Sequence, residues 1–322
     1  MNAVGHAEPP RLRFRAMGTS VRVVVSPDVS PPGFRRASQT VEEIFDREEQ
    51  RFSRFRSDSE LSQVNAAGGR WVRISEPFVE LLDLSIRAAE RTGGLFDPTI
   101  LPSLKAAGYN GDFRKLREEL AVPPAVPRPC GRWQEISRSE DLVRLPEGVA
   151  IDFGGIAKGW TVDLAAPAAL DASGASWIVV NAGGDLRVDG AVPPGGIEVG
   201  VESPEAPHDE AMRFHLEAGA IATSSIVRRS WGPGLHHLID PRTSLPATTG
   251  VLQATAWAPR CAEAEVLSKE ALLLGPAVLR RVPGILVLDG DEIVTNLSHR
   301  DDGSSVDRAN ARDRARRVEV IA

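Results

Sequence analysis

In the stretch Ile151-Asp152-Phe153-Gly154-Gly155-Ile156-Ala157-Lys158-Gly159-Trp160-Thr161-Val162-Asp163, a glycine pair stands directly before a helix-forming run. Glycines in that place let main-chain N–H groups approach a phosphate, the helix N-terminus adds positive potential, and Lys158 adds a mobile cation. A plain strand-to-helix turn carrying a surface lysine accounts for the same residues equally well. The spacing is neither G-x-G-x-x-G nor G-x-x-x-x-G-K-[ST], which excludes a Rossmann or P-loop assignment.

Downstream, the pattern predicts a helix over about 156–170, a strand over 177–181, a turn at Gly183-Gly184 and a strand over 186–188. Strand regions follow at 197–201 and 212–222, and a late helix over 262–274 closes at Gly275. Upstream, Phe14, Met17-Gly18-Thr19 and the β-branched run 21–25 predict a strand interrupted by glycine. Val41, Ile44, Phe45 and Phe52 follow helical spacing, with Glu48 as one charged intruder, so residues 33–52 read as an amphipathic helix. A second helix is expected from a Ser75 cap through Glu76, Pro77 and the face Phe78, Leu81, Leu82, Ser85, Ala88, Ala89 to a stop at Gly93-Gly94. Residues 121–131 are too rich in proline for a helix or central strand and read as a surface insertion. The Arg-rich segment 308–317, with Asp313 inside it, reads as a solvated helix or frayed end.

Two further groups can carry chemistry. His236-His237-Leu238-Ile239-Asp240-Pro241-Arg242-Thr243 places titratable groups and an arginine in one short turn, suited to acid–base work on a hydroxyl beside an anion. The same residues also fit a loop with structural hydrogen bonds, and adjacent histidines point different ways, so at most one reaches a site. Gly93-Gly94-Leu95-Phe96-Asp97-Pro98-Thr99 can be a helix stop, or an open backbone that admits a planar ring beside Phe96.

The net charge of −6 offers no basic field, which argues against nucleic acid and anionic membranes and favours small molecules or proteins. No run approaches the roughly 20 apolar residues that span a bilayer, so no transmembrane segment is expected. The first ten residues lack the features of a secretory signal, giving a cytoplasmic expectation. Cys130 and Cys261 lack C-x-x-C spacing and companion histidines, so both read as reduced thiols.

Taken in order, these segments resemble the ApbE family of FAD:protein FMN transferases. Met17-Gly18-Thr19 is similar to its opening M-G-T, and 52–65 to its aromatic-x-x-D-S-E-L-S-x-x-N segment. Residues 94–99 match G-x-F-D-P-T, 152–163 match D-x-G-G-I-A-K-G-aromatic-x-x-D, and 181–185 match N-x-G-G-D. Ala222-Thr223-Ser224 matches A-T-S, and 237–243 match H-I-I-D-P-R-T. The resemblance implies an α+β fold, related to the T-fold, as a single large domain over 11–300 between a flexible N-terminus (1–10) and a polar tail (301–322). It implies a central FAD groove lined by Met17, Phe55, Leu95, Phe96, Asp97, Asp152, Lys158 and Ile239, with Mg²⁺ beside the pyrophosphate. Phe55 stands where a Tyr is frequent, which keeps the ring face and loses a hydroxyl. The implied reaction moves FMN from FAD to a Ser or Thr hydroxyl of a flavin-acceptor protein, with His237 or Asp240 taking the hydroxyl proton.

The chain also departs from the family. The positions of the metal-binding Asp and Thr on the late helix are Glu265 and Lys269, and the main-chain carbonyl that completes the metal site is that of Gly155. Glu keeps a hard oxygen ligand, whereas Lys cannot coordinate Mg²⁺. Four residues apart on a helix, the two are placed to pair with each other, and the lysine can stand in for the metal as a fixed charge. Two functions therefore compete: an FMN transferase, or an FAD-binding protein that has lost transfer and serves as a flavin carrier, sensor or redox module. Ser244 replaces the glycine usual after P-R-T, and the 229–236 loop is short for the family, both on the acceptor side. Residues 170–176 faintly resemble an acceptor motif and are read as a helix-ending turn.

Overall fold

Arg11–Ala16 (β1) and Thr19–Val25 (β2) pair antiparallel across a turn at Met17 and Gly18, whose φ angles are +49° and +69°. The expected interrupted strand is thus a hairpin, because two successive positive φ angles reverse the chain. The structure is a computed structural model that describes residues 8–111, 126–206, 209–289, 292–296 and 319–321. Segment 308–317 and residues 121–125 lie outside the described residues, while 126–129 are exposed as expected for a surface insertion.

Helix α1 (Pro31–Phe52) starts at Ser30, whose side chain accepts from the Gly33 N–H. Its buried face contains Val41, Ile44, Phe45 and Phe52, and the intruding Glu48 is buried beside Arg47 and Arg51. Then come α2 (Glu60–Asn65), β3 (Val72–Arg73), α3 (Glu76–Arg91) and α4 (Leu101–Ala106). Ser75 occupies the cap position of α3 without capping it, because its hydroxyl donates to Glu60 Oε2 at 2.7 Å. Strands β4 (Ser137–Ser139) and β5 (Leu142–Arg144) lead through the glycine turn to α5 (Ala157–Ser173).

Next follow β6 (Trp177–Ala182), β7 (Asp185–Gly190), β8 (Ile197–Glu202), β9 (Glu210–Leu216) and β10 (Gly219–Ser225). The region expected as one strand over 212–222 is therefore two, divided before Gly219, whose φ is +89°. Short pairs β11 (Ser230–Gly232) with β12 (Leu235–His236), and β13 (Ile239–Asp240) with β14 (Leu245–Pro246), precede β15 (Val251–Ala258). Helix α6 (Cys261–Leu274) ends at Gly275 and is followed by β16 (Gly284–Leu288), β17 (Ile293–Thr295) and β18 (Glu319–Ile321).

The main sheet has eight strands in the order β1-β2-β6-β7-β10-β15-β16-β17. Alternation along its strands sends Val23, Val25, Ile178 and Val180 against α1 and α5, while Val24, Trp177 and Val179 face the smaller β18-β8-β9 sheet. Both faces are covered, which is why β6 is buried at every position. The mixed helices and sheets form the expected α+β architecture. Among the described residues, no helix is long and apolar enough to cross a membrane.

Three devices hold the glycine turn. Asn65 grips Ile151 through both its main-chain groups, at 2.8 and 2.9 Å. Phe153 is fully buried edge-on to Phe52 and Phe78, a burial that contributes about 1.5–3 kcal/mol. Helix α5 crosses the start of α6 at Gly159, where a Cβ would lie 2.6 Å from the Cys261 carbonyl oxygen. The first turn of α6 has no cap from its own chain neighbour; Asp163 of α5 instead accepts from the N–H groups of Cys261 and Ala262, at 2.8 and 3.0 Å.

Candidate active site

Two clefts meet at the N-terminus of α5. The first, of about 370 Å³, is walled mainly by apolar groups, among them Phe55, Leu95, Phe96, Ile100, Leu104 and Leu273. The second, of about 420 Å³, is polar and opens toward the sheet, with Thr19, Asn181, Thr223, Ser224 and Gln253 in its wall beside Arg15, Arg22 and Arg228. Lys158, Arg229, His237 and Lys269 line both, together with Gly18 and Gly154. A planar apolar group therefore has a place in one cleft, a polar chain in the other, and positive charge stands between them.

Of the residues expected at a flavin site, Met17, Phe55, Leu95, Phe96, Asp97, Asp152, Lys158 and Ile239 all line the first cleft, as do Gly155 and His237. The two acids among them are tied to the scaffold. Asp97 Oδ1 accepts from the Thr99 N–H at 2.8 Å, and its Oδ2 from the Gly131 N–H at 2.6 Å. Asp152 Oδ1 accepts from the Gly154 N–H at 2.7 Å and shapes the turn, while its Oδ2 pairs with Arg54 Nε at 2.9 Å. Asp240 lines neither cleft. Ile239 and Asp240 alternate along β13, so with Ile239 facing the cleft the carboxylate turns away, and Arg242 binds both its oxygens at 2.7–2.9 Å. Of the two residues expected to take a proton, His237 alone lines the clefts among the described residues.

The histidines diverge. His236 is buried and structural: its Nδ1 accepts from the Leu238 N–H at 3.3 Å, and its Nε2 donates to the Ala247 carbonyl at 3.0 Å. His237 Nδ1 is buried without a hydrogen-bond partner. Burial, reinforced by the positive charges of Arg229 and Lys269, lowers the His237 pKa well below the ordinary histidine value. These surroundings favour the neutral imidazole, with one ring nitrogen unprotonated, and make it a weaker base than a free histidine.

Beside it lies a buried cluster of two lysines and two carboxylates. Lys158 Nζ pairs with Asp185 Oδ2 and, at 2.6 Å, with Glu265 Oε1. Lys269 Nζ lies 3.3 Å from the same Glu265 oxygen and 3.1 Å from the Glu265 carbonyl, the expected i,i+4 pair. Glu265 Oε2 accepts from the Gly159 N–H at 2.9 Å, so both its oxygens are engaged. Burial opposes the Lys158 charge, yet Asp185 and Glu265 outweigh it and raise the lysine pKa. Burial and the neighbouring Glu265 charge push Asp185 up to about 6. Burial likewise opposes the Glu265 charge, but Lys158 and then Lys269 hold its pKa below the ordinary carboxylate value. Among the described residues, no three His, Cys, Asp or Glu side chains gather as a metal-binding group.

Arg54, Tyr109, Asp185 and Arg229 were not singled out as site residues from the sequence. The Arg54 guanidinium lies 4.2 Å from the Phe55 ring centroid and 4.4 Å from that of Tyr109, and its Nη2 is buried without a partner. Asp185 closes the N-x-G-G-D segment and was findable there; Tyr109, the sole tyrosine, carries no motif.

The chain is 28% identical over 299 residues to the FAD:protein FMN transferase of Treponema pallidum, covering 84% of this chain and 81% of that one. It is 26% identical over 312 residues to the same-named protein of Vibrio cholerae, covering 89% of each. The crystal structure of the ApbE protein from Thermotoga maritima superposes with a TM-score of 0.78 at 29% identity, covering 89% of this chain and 97% of that one. The sequence profile of the ApbE family matches residues 17–283, most of the chain. With the family profile covering both the glycine turn and the His237 segment, the chain belongs to the ApbE family.

Proposed function

We propose that this chain moves the FMN part of FAD onto a Ser or Thr hydroxyl of a partner flavoprotein and releases AMP. The observation that supports it most is the meeting of an apolar and a polar cleft at His237, Lys158 and Lys269. In this reading FAD lies in the first cleft, with Met17, Phe55, Leu95, Phe96 and Ile239 against its rings and Gly154-Gly155 at its diphosphate. The acceptor hydroxyl enters from the second cleft. Its oxygen bonds to the FMN phosphorus while the bond from that phosphorus to the bridging oxygen breaks; AMP leaves with the bridging oxygen. His237 takes the hydroxyl proton, a role suited to an imidazole that its surroundings keep neutral. Positive charge where the two clefts meet offsets negative charge as it develops on the leaving phosphate.

The family resemblance places Mg²⁺ between the Gly155 carbonyl and residues 265 and 269. The residues present do not fit it: both Glu265 oxygens are engaged, and an ammonium at 269 has no lone pair to donate. No step above depends on a metal. A flavin carrier, sensor or redox module would use the first cleft and leave His237 and the second cleft without a task.

Mass spectrometry of the purified chain incubated with FAD and a candidate acceptor domain tests this reading. An FMN adduct on the acceptor together with free AMP is expected. FAD bound without any adduct on acceptors that a related transferase modifies would instead establish a binding protein.

A further inference from the structure

The two lysines are not held alike. Lys158 Nζ is clamped between two carboxylates, those of Asp185 and Glu265, which are 2% and 1% exposed. Among the described residues, Lys269 Nζ makes only longer contacts, both to Glu265 on its own helix, at 3.1 and 3.3 Å. Each ammonium has three donors and uses two of them here, so one is left on each; what sets Lys269 apart is that its contacts are the longer and come from a single residue of its own helix, whereas Lys158 is held by two carboxylates from two other elements. The stem of Lys269 lies across the glycine turn: a Cβ built on Gly155 would meet Lys269 Cε at 3.1 Å. Its side chain lines both clefts.

A divalent ion at this place would need free oxygen ligands at roughly 2.0–2.1 Å. It would instead find Glu265 shared between two ammonium groups and a main-chain N–H, and like charges repelling it.

We propose that Lys269 is a tethered cation that replaces a divalent metal at the diphosphate of the bound nucleotide, while Lys158 is the internal counter-ion that keeps Asp185 and Glu265 paired. The inference rests on the reading of the first cleft as an FAD site. It divides two roles between residues that the motif alone would merge, since Lys158 belongs to the glycine-turn segment and Lys269 does not.

Titration calorimetry on the full chain, with FAD and separately with ADP, each in EDTA and in excess Mg²⁺, tests it. Unmodified protein should bind FAD with the same affinity in both conditions, within about twofold. Lys269→Met should weaken binding about 10- to 100-fold, the scale of one charged hydrogen bond, without rescue by Mg²⁺. Lys269→Thr combined with Glu265→Asp should make binding depend on Mg²⁺. Lys269→Arg should retain most of the affinity, and thermal melts should show each variant folded before titration. Loss of FAD binding in EDTA by the unmodified protein, or unchanged affinity in Lys269→Met, would overturn the proposal. ADP binding without metal in a protein that ignores FAD would leave the tethered cation standing and remove the flavin reading. No binding of either nucleotide would remove both.

Discussion

The main-chain N–H of Gly159 donates to Glu265 Oε2 at 2.9 Å across the junction of α5 and α6. That bond exists because the helices approach until no side chain fits between them at position 159. Alanine normally stabilises a helix interior by about 1 kcal/mol relative to glycine. Here Gly159→Ala is expected to destabilise by about 1–3 kcal/mol, because its Cβ would push on the backbone of Cys261. A urea titration should show a lower midpoint at unchanged slope. A gain in stability would mean that the helices can part freely.

Lys158→Met should cost far more stability than Lys269→Met. The first leaves Asp185 and Glu265 buried with only Lys269 for compensation, a loss of about 3–5 kcal/mol; the second leaves the tighter pair intact. Adding Asp185→Asn to Lys158→Met should recover part of the loss. Thermal unfolding of the three variants checks the order, and equal melting temperatures would refute it.

Removing His237 as His237→Ala should lower turnover by about 10²- to 10⁴-fold with little change in FAD affinity, since proton transfer is felt in the transition state. Its lowered pKa sets the pH profile: the acid limb of kcat/KM should fall below pH 6.5, the range of an unperturbed histidine. The stability sign is also determined. The folded pKa lies below the unfolded value, so the contribution of His237 is complete above about pH 6.5 and is lost as pH falls toward the folded pKa. An acid limb above 6.5 would exclude a neutral His237 as the base.

Ser244 sits at φ +59°, in the left-handed region where a side chain is strained, and its hydroxyl lies 3.2 Å from Cys130 Sγ. Ser244→Gly should relieve that strain and lose the contact, for a net gain of about 1 kcal/mol at most after the added freedom of the unfolded chain. A melting temperature below that of the unmodified protein would show that the contact to Cys130 outweighs the strain.

Much of this arrangement was legible in the order of residues. The hydrophobic spacing of 41–52 marked α1, the glycine pair marked the start of α5, and the four-residue step from Glu265 to Lys269 announced an ion pair that the structure contains. Local periodicity carries such information because it concerns neighbours along the chain. It carried none about Lys158 and its two carboxylates, which lie 27 and 107 positions away and meet it only once α6 is seated. Nor did it tell that Asp240 belongs to Arg242, since loop and catalytic acids share the same residue types. The division of 212–222 escaped because both halves favour strand and only a two-residue bend, Glu217-Ala218, followed by Gly219 at positive φ, separates them.

The cap that Asp163 places on α6 has a bearing on how this family can diverge. The helix that presents residues 265 and 269 is seated at its first turn through its main-chain N–H donors and, one turn on, through the Glu265 carboxylate, but not through Lys269, whose contacts stay within the helix. A change of charge or ligand type at 269 can therefore be tried by mutation without unseating the helix that displays it, provided an acid is kept at 265. Such a frame works as a socket, and a lineage could exchange a metal for an ammonium, or return, by a few codon changes while the surrounding clefts stay in place.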